Sequence, residues 1–420
     1  MDIPRRATGD VAPMSYAQEL LWLLDRATPG ITAYNVPRAI RIRGALNVAA
    51  LEQAIEDVVA RHEILRTTYA AGPEGPVQHV QPHIAVPLRV VDLSGESANA
   101  RDGAIERVVL AEARTPFDLS RDRLLRTALL RLADDDHVLM LASHHIASDG
   151  WSKGILYREL SAAYGARAEG RAQSLPPLVV QYADFSTWQR DTMRDADHEA
   201  HLGFWRERLG APLPVLDLPT VFPRPATQSF EGSRSTLTLP SSLVTQLRAL
   251  GIDRGATLYM VLLAAYQTVL HRYSGQDDVL TGSPIAGRDR PEVEGLIGYF
   301  ANTLAMRTSF AGDPTFGELL ERISEYAIEA YEHQDVPFEK LVLDLRDAHE
   351  TPGHAPLFRC VLTMEDTIPD ELVLGDASVQ PILVDYGQAK FDLTLLFAEQ
   401  PDGLRLTLWH RTDLFTDAYA

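Results

Sequence analysis

The sequence predicts a mixed α/β protein built as two halves of similar size. Three observations carry that expectation. Segments of helical periodicity alternate with short apolar segments along the whole chain. Near its middle, Pro212, Pro214, Pro219, Pro223 and Pro225 crowd into one short stretch. Proline forbids helix continuation and biases the residue before it to extended geometry, so this stretch is the expected boundary. The length of 420 residues is also well beyond the roughly 150 residues of one typical domain. The expected division is a first half over 1–211, a crossover over 212–235 and a second half over 236–420.

The elements follow from local pattern. Leu46, Ala50, Leu51, Ala54, Ile55, Val58 and Val59 recur at helical spacing up to about His62, with Asn47 as the N-cap. Leu124 to Leu132 and His137 to Ser143 read as short buried strands joined by the acidic turn Asp134-Asp135-Asp136. Ser152 is the expected cap of a helix whose apolar positions are Ile155, Leu156, Leu160 and Tyr164. A longer helical pattern, broken once or twice, runs from about Val180 to Leu209. Beyond the prolines, Ser241 to Leu250 and Thr257 to Tyr273 read as helices, the second apolar on most faces and therefore buried. Strands are expected near Val279 to Gly282 and Leu304 to Ser309, then a helix near Thr315 to His333. The tail reads as strands again: Phe358 to Met364, Phe391 to Glu399 and Leu404 to Trp409. With two halves of this kind, the cleft between them is the default ligand site.

Composition narrows the class without naming a chemistry. Apolar residues make up 45% and charged residues 23% of the chain, a globular mix. The net charge of −19 argues against nucleic acid or an anionic membrane as partner. The single cysteine, Cys360, excludes a disulfide framework and a cysteine-rich zinc module. No stretch approaches the roughly 20 apolar residues of a membrane span, and the start lacks an apolar signal region. A cytoplasmic location is the expectation.

The chemistry-bearing segment is His144-His145-Ile146-Ala147-Ser148-Asp149-Gly150, placed where the apolar strand Val138 to Ala142 runs out. Strand ends that open into loops are where a scaffold presents side chains. A His pair alone is weak: 13 histidines give about 0.4 such pairs by chance. Requiring the Asp and Gly at their positions lowers this to roughly 0.001. Adjacent residues on extended backbone point to opposite sides, so one histidine of the pair faces a substrate. A carboxylate four residues on can hold the loop by pairing with a buried Arg. A Gly lets backbone approach a ligand or offer an N–H to developing negative charge. One His without a neighbouring nucleophile suits direct acyl transfer. No Gly-x-Ser-x-Gly elbow and no His-Glu-x-x-His occur, so a serine hydrolase and a zincin lack their marks.

This segment resembles the HHxxxDG signature of nonribosomal peptide synthetase condensation domains, relatives of chloramphenicol acetyltransferase. Other segments occur in the family's order. Ser15-Tyr-Ala-Gln-Glu-Leu-Leu-Trp22 is similar to the opening motif and Arg61-His-Glu-Ile-Leu-Arg-Thr67 to the second. Tyr182-Ala-Asp-Phe-Ser-Thr-Trp-Gln189 is similar to the fourth, Ile297-Gly-Tyr-Phe-Ala-Asn-Thr303 to the fifth and His333-Gln-Asp-Val-Pro-Phe-Glu339 to the sixth. Two departures stand out. The seventh motif, at Arg346-Asp347, lacks the usual Ser-Arg continuation before Pro356-Leu357. The chain also stops soon after Asp413-Leu-Phe415, which suggests a piece cut from a larger synthetase.

The resemblance implies two acetyltransferase-like lobes in a V-shaped pseudo-dimer with a central tunnel. It implies transfer of a donor acyl group from a carrier-protein thioester to the amine of an acceptor aminoacyl thioester. In that reading His145 is the catalytic histidine and His144 its structural neighbour. Asp149 holds the loop by an ion pair, with Arg66 as first choice of partner and Arg61 as second. Gly150 presents backbone to the thioester, and Ser148, Trp151 and Asn302 line the substrate tunnel. No metal and no cofactor is bound by the domain itself, because substrates arrive on the 4'-phosphopantetheine of donor and acceptor carrier proteins. An adjacent adenylation domain is the expected neighbour.

The Ile-Ala-Ser spacer looks most like domains that join two L-aminoacyl units, the LCL type. Starter-type and ester-forming condensation domains are the alternatives. An epimerization domain shares the His pair, but the segment Ile297 to Thr303 favours condensation. An inactive module that only recruits another enzyme would be expected to lack the second His.

Overall fold

The computed structural model describes residues 2–6, 11–172, 175–193, 196–210, 213–346, 357–365, 371–382 and 385–420. The chain divides into two compact units. The first comprises Met1–Thr192, Arg288–Phe300 and Thr367–Tyr386; the second comprises Met193–Gly287, Ala301–Asp366 and Gly387–Ala420.

The first unit is organised by a sheet whose described strands run in the order Ser378–Ile382, Asn35–Arg43, Asp136–His144, Leu125–Ala133, Arg89–Asp92. Neighbours are antiparallel except the last pair, which is parallel. The central strand is buried from His137 to His144, because both faces of the sheet are covered. Leu139 and Leu141 join the larger core with Leu51, Ile55, Val58, Ile155 and Leu160. Val138, Met140 and Ala142 point the other way, onto Ile105 and Val109. Alternation along one strand thus feeds two cores, which is why its sequence reads as an unbroken apolar run. Asn47 caps the helix Val48–Arg61 through the Ala50 N–H at 3.1 Å, as expected. That helix packs on the helix Gly150–Ala168.

The second unit holds a sheet in the order Asn302–Ser309, Asp278–Ile285, Cys360–Met364, Leu393–Gln400, Gly403–Arg411, Gly232–Pro240. Cys360–Met364 runs parallel to both its neighbours and the other pairs are antiparallel. The expected buried helix is Leu258–Ser274, capped by Thr257 and ended by Gly275 at φ 68°, a left-handed position that favours glycine. The helix Phe316–Glu332 opens with a reciprocal cap between Thr315 and Glu318.

Three expectations need correction. The stretch 212–235 is not a crossover between units, since its described residues belong to the second unit. Leu216 and Leu218 are buried in that unit's core, and Arg359 donates to the Leu216 carbonyl at 3.1 Å. Proline spacing forces extended backbone, and here that backbone packs rather than spans. The units are also not two continuous halves: Ser378–Ile382 returns to pair with Asn35–Arg43. Finally, Ser152 is not the N-cap of its helix, which starts at Gly150 with Asp149 as N-cap; it is the third helical residue, whose Oγ accepts the Asp149 N–H at 3.4 Å and completes a reciprocal cap. The seventh-motif departure at 347–356 lies outside the described residues.

One consequence can be tested in the second unit. Glu339, in the first turn of the helix Phe338–Arg346, is buried, and burial pushes its carboxyl up to about 7. The folded value lies above the ordinary 4.5. Folding is therefore favoured fully below about pH 4.5 and loses that contribution as pH rises through about 7. A shift of this size is worth on the order of 3 kcal/mol. Thermal melts should show Glu339→Gln several degrees above wild type at pH 8.5, the gap closing towards pH 4.5. A gap independent of pH would contradict the assignment.

Candidate functional site

The central strand of the first unit ends at His144, and the next turn is a short 3₁₀ helix, His145–Ala147. The two histidines separate as extended backbone requires. His144 is buried; its Nδ1 accepts the Ile146 N–H at 3.1 Å, and its ring lies 5.7 Å from that of Phe117. It shapes the turn. His145 is half-buried; its backbone N–H donates to the Tyr34 carbonyl at 2.8 Å. Its imidazole meets the Tyr299 ring edge-on, with centroids 4.9 Å apart.

Asp149 sits at the centre of a buried network. As N-cap it accepts the Ser152 N–H at 2.8 Å, and its other oxygen accepts the Phe300 N–H at 3.0 Å. Its ion pair is with Arg288, at 3.1 Å and 3.2 Å, both side chains almost completely buried. Arg288 also donates to the carbonyls of Val293 and Leu296 at 2.6 Å and 2.7 Å. Its guanidinium lies over the Phe300 ring at 4.3 Å.

Neither arginine expected for this pair takes it. Arg66 lies 3.7 Å from Glu63 and donates to the Gln81 carbonyl. Arg61 donates to both oxygens of Glu159 at 3.1 Å. The true partner lies 139 residues from Asp149 along the chain. It reaches the loop because Arg288–Phe300 returns to the first unit.

Beside this pair is a second buried cluster that pattern reading passed over. His62 Nδ1 accepts the Ile297 N–H at 3.3 Å, which leaves Nε2 to donate to Glu159 at 2.8 Å. Burial, the largest influence, raises the Glu159 carboxyl, but the His62 and Arg61 donors together outweigh it and hold it below the usual range. His62 lies inside the second motif, Arg61 to Thr67. Its place between two Arg-bearing turns was the available signal.

The remaining expected residues divide. Gly150 is exposed as the first residue of the helix Gly150–Ala168. There the positive end of the helix dipole favours developing negative charge. Ser148 is buried. The Trp151 indole N–H donates to the Glu294 carbonyl at 3.1 Å. Asn302 belongs to the second unit, and its amide is engaged there. It donates to the Gln334 and Val336 carbonyls at 2.8 Å and accepts the Phe338 N–H at 2.9 Å. Two donors and one acceptor on a planar amide match a bent backbone segment, which explains the choice.

Together these residues present a half-exposed imidazole and an exposed glycine N-terminal turn on one loop, fixed from behind by a buried ion pair. Such a loop can hold or move a proton and orient an acyl centre. Among the described residues no group of three His, Cys, Asp or Glu side chains could hold a metal ion. No described helix is long and apolar enough to cross a membrane.

The family model for the condensation domain matches residues 8–420. A linear gramicidin synthase from Brevibacillus parabrevis is 43% identical over 97% of this chain, which spans 5% of that protein. Phosphinothricin tripeptide synthetase PhsC of Streptomyces viridochromogenes is 41% identical over 98% of the chain, which spans 38% of its length. The solved X-domain from teicoplanin biosynthesis is similar with a TM-score of 0.87 and 30% identity, covering 100% of this chain and 93% of that one. The first condensation domain of the calcium-dependent antibiotic synthetase, solved with a substrate analogue, has a TM-score of 0.79 at 23% identity. That likeness covers 98% of this chain and 93% of that one, and it is a likeness of fold.

Proposed function

Because the chain belongs to the condensation-domain family of nonribosomal peptide synthetases, we propose that it forms an amide bond between two carrier-bound substrates. The acceptor amine attacks the carbonyl carbon of the donor thioester, the C–N bond forms and the C–S bond breaks. The amine's surplus proton passes to the departing pantetheine thiolate. The observation that carries this reading is the split fate of the histidine pair, His144 buried and His145 half-exposed on a loop pinned by Asp149 and Arg288.

In this reading His145 holds or relays the amine proton, and the exposed Gly150 offers backbone to the thioester oxygen as charge develops there. Asp149 acts through loop geometry alone. Substrates arrive on the phosphopantetheine arms of donor and acceptor carrier proteins in the cytoplasm, next to an adenylation domain. The spacer Ile146-Ala147-Ser148 supports the LCL subtype over starter-type or ester-forming chemistry.

The test is to load candidate aminoacyl and acyl groups on excised carriers and detect the product by intact-protein mass spectrometry. A condensed product is expected on the acceptor carrier. Deuterium uptake at Cα of a single loaded substrate, without condensation, would make the chain an epimerization domain. The likeness to the teicoplanin X-domain, which has also been solved in a complex with OxyB, favours a second reading in which the chain only recruits a partner enzyme. Its result would be no product from any pair.

A further inference from the structure

The His145 imidazole packs against an aromatic ring. The Tyr299 ring stands against it edge-to-face, centroids 4.9 Å apart and planes at 67°. Edge-to-face pairs are favoured because the positive rim of one ring meets the negative face of the other. The backbone of residues 298–300 is held by hydrogen bonds. The Tyr299 carbonyl accepts the Tyr182 hydroxyl at 2.6 Å. The preceding Gly298 N–H donates to Ser152 Oγ at 3.1 Å, and the following Phe300 N–H donates to Asp149 at 3.0 Å.

The anchor continues outward. Because the Tyr182 proton goes to Tyr299, Ser15 Oγ must donate to the Tyr182 oxygen, 2.9 Å away. Ser15 in turn caps the helix Tyr16–Ala27. Gly298 lies so close to the Tyr182 ring that a Cβ there would come within 2.2 Å of it, so only glycine fits at this position. A backbone fixed by three separate hydrogen bonds fixes where the Tyr299 ring emerges, and that ring limits the rotamers of His145.

We propose that Tyr299 is a positioning residue for the reaction, setting the imidazole orientation of His145, with Tyr182 and Ser15 as its anchor. The proposal rests on the reading of His145 as the group that handles the amine proton. Tyr299 acts through His145 and so affects turnover more than binding.

The test uses the carrier pair that the wild-type chain condenses, together with NMR of histidine-labelled protein, His145→Ala assigning the resonance. Tyr299→Leu is expected to remove the ring-current shift of His145 and lower kcat about three- to ten-fold with KM unchanged. Tyr299→Phe keeps the ring and should recover the shift and most of the rate. Wild-type kcat in Tyr299→Leu, or loss in Tyr299→Phe as deep as in Tyr299→Leu, would overturn the positioning role alone. A wild-type chain that condenses no pair, with the shift intact, would instead overturn the functional reading and the role with it.

Discussion

His145→Ala is expected to lower single-turnover amide formation by about 10²–10⁴-fold, the range typical of general acid–base help. The residual rate should remain well above background. An α-amino group titrates near 7.7–8.0, so a sizeable fraction of acceptor is already neutral at pH 7. A thioester is also an activated donor. Holding the two reactants together can contribute roughly 7–11 kcal/mol, at least as much as the proton transfer. The variant should thus keep its fold and its substrate affinity while losing rate. His144→Ala should behave differently, because that ring is buried and shapes the turn through the Ile146 N–H. Its loss should appear mainly in the melting temperature. A His145→Ala protein that condenses at the wild-type rate would refute the role assigned to this imidazole.

The largest effect on stability is expected at the buried ion pair. Asp149→Ala leaves Arg288 with an uncompensated charge, and Arg288→Ala does the same to Asp149. Breaking a buried pair by removing one partner typically costs about 3–5 kcal/mol. Here Asp149 also loses its bonds to the Ser152 and Phe300 N–H groups, so both the helix start and the Arg288–Phe300 segment should loosen. The joint substitution Asp149→Ala with Arg288→Ala should be less damaging than the sum of the singles, since it removes both charges. Arg66→Ala should melt close to wild type, because its nearby carboxylate belongs to Glu63. Chemical unfolding of the four proteins checks this. Single variants as stable as wild type would show that Arg288 is not the partner that matters.

The site was legible in part, and the division is instructive. The sequence alone revealed the loop His144–Gly150, because strand ending, His pair, Asp and Gly are all local. It also named Asn47 as a helix cap and began two further helices at Thr257 and Thr315, which the structure makes the caps themselves; capping joins residues three apart and so stays local. Arg66 was the wrong partner for Asp149 for the converse reason. Arg66 and Arg61 stand in a recognisable motif, whereas Arg288 carries no local mark and joins the loop only where a distant segment returns.

Local pattern was enough to establish the chemistry on offer: an imidazole, a carboxylate and a glycine at fixed spacing on the end of an apolar strand. The family resemblance already implied His145 as the exposed histidine; it took the folded chain to show which arginine neutralises Asp149. The same holds for Asn302, which braces its own unit, and for Tyr299, which faces His145. The physical reason is that hydrogen-bond spacing along a strand or helix is written in neighbouring residues. Partners 139 positions apart meet only after the chain has folded back and water has been excluded from between them.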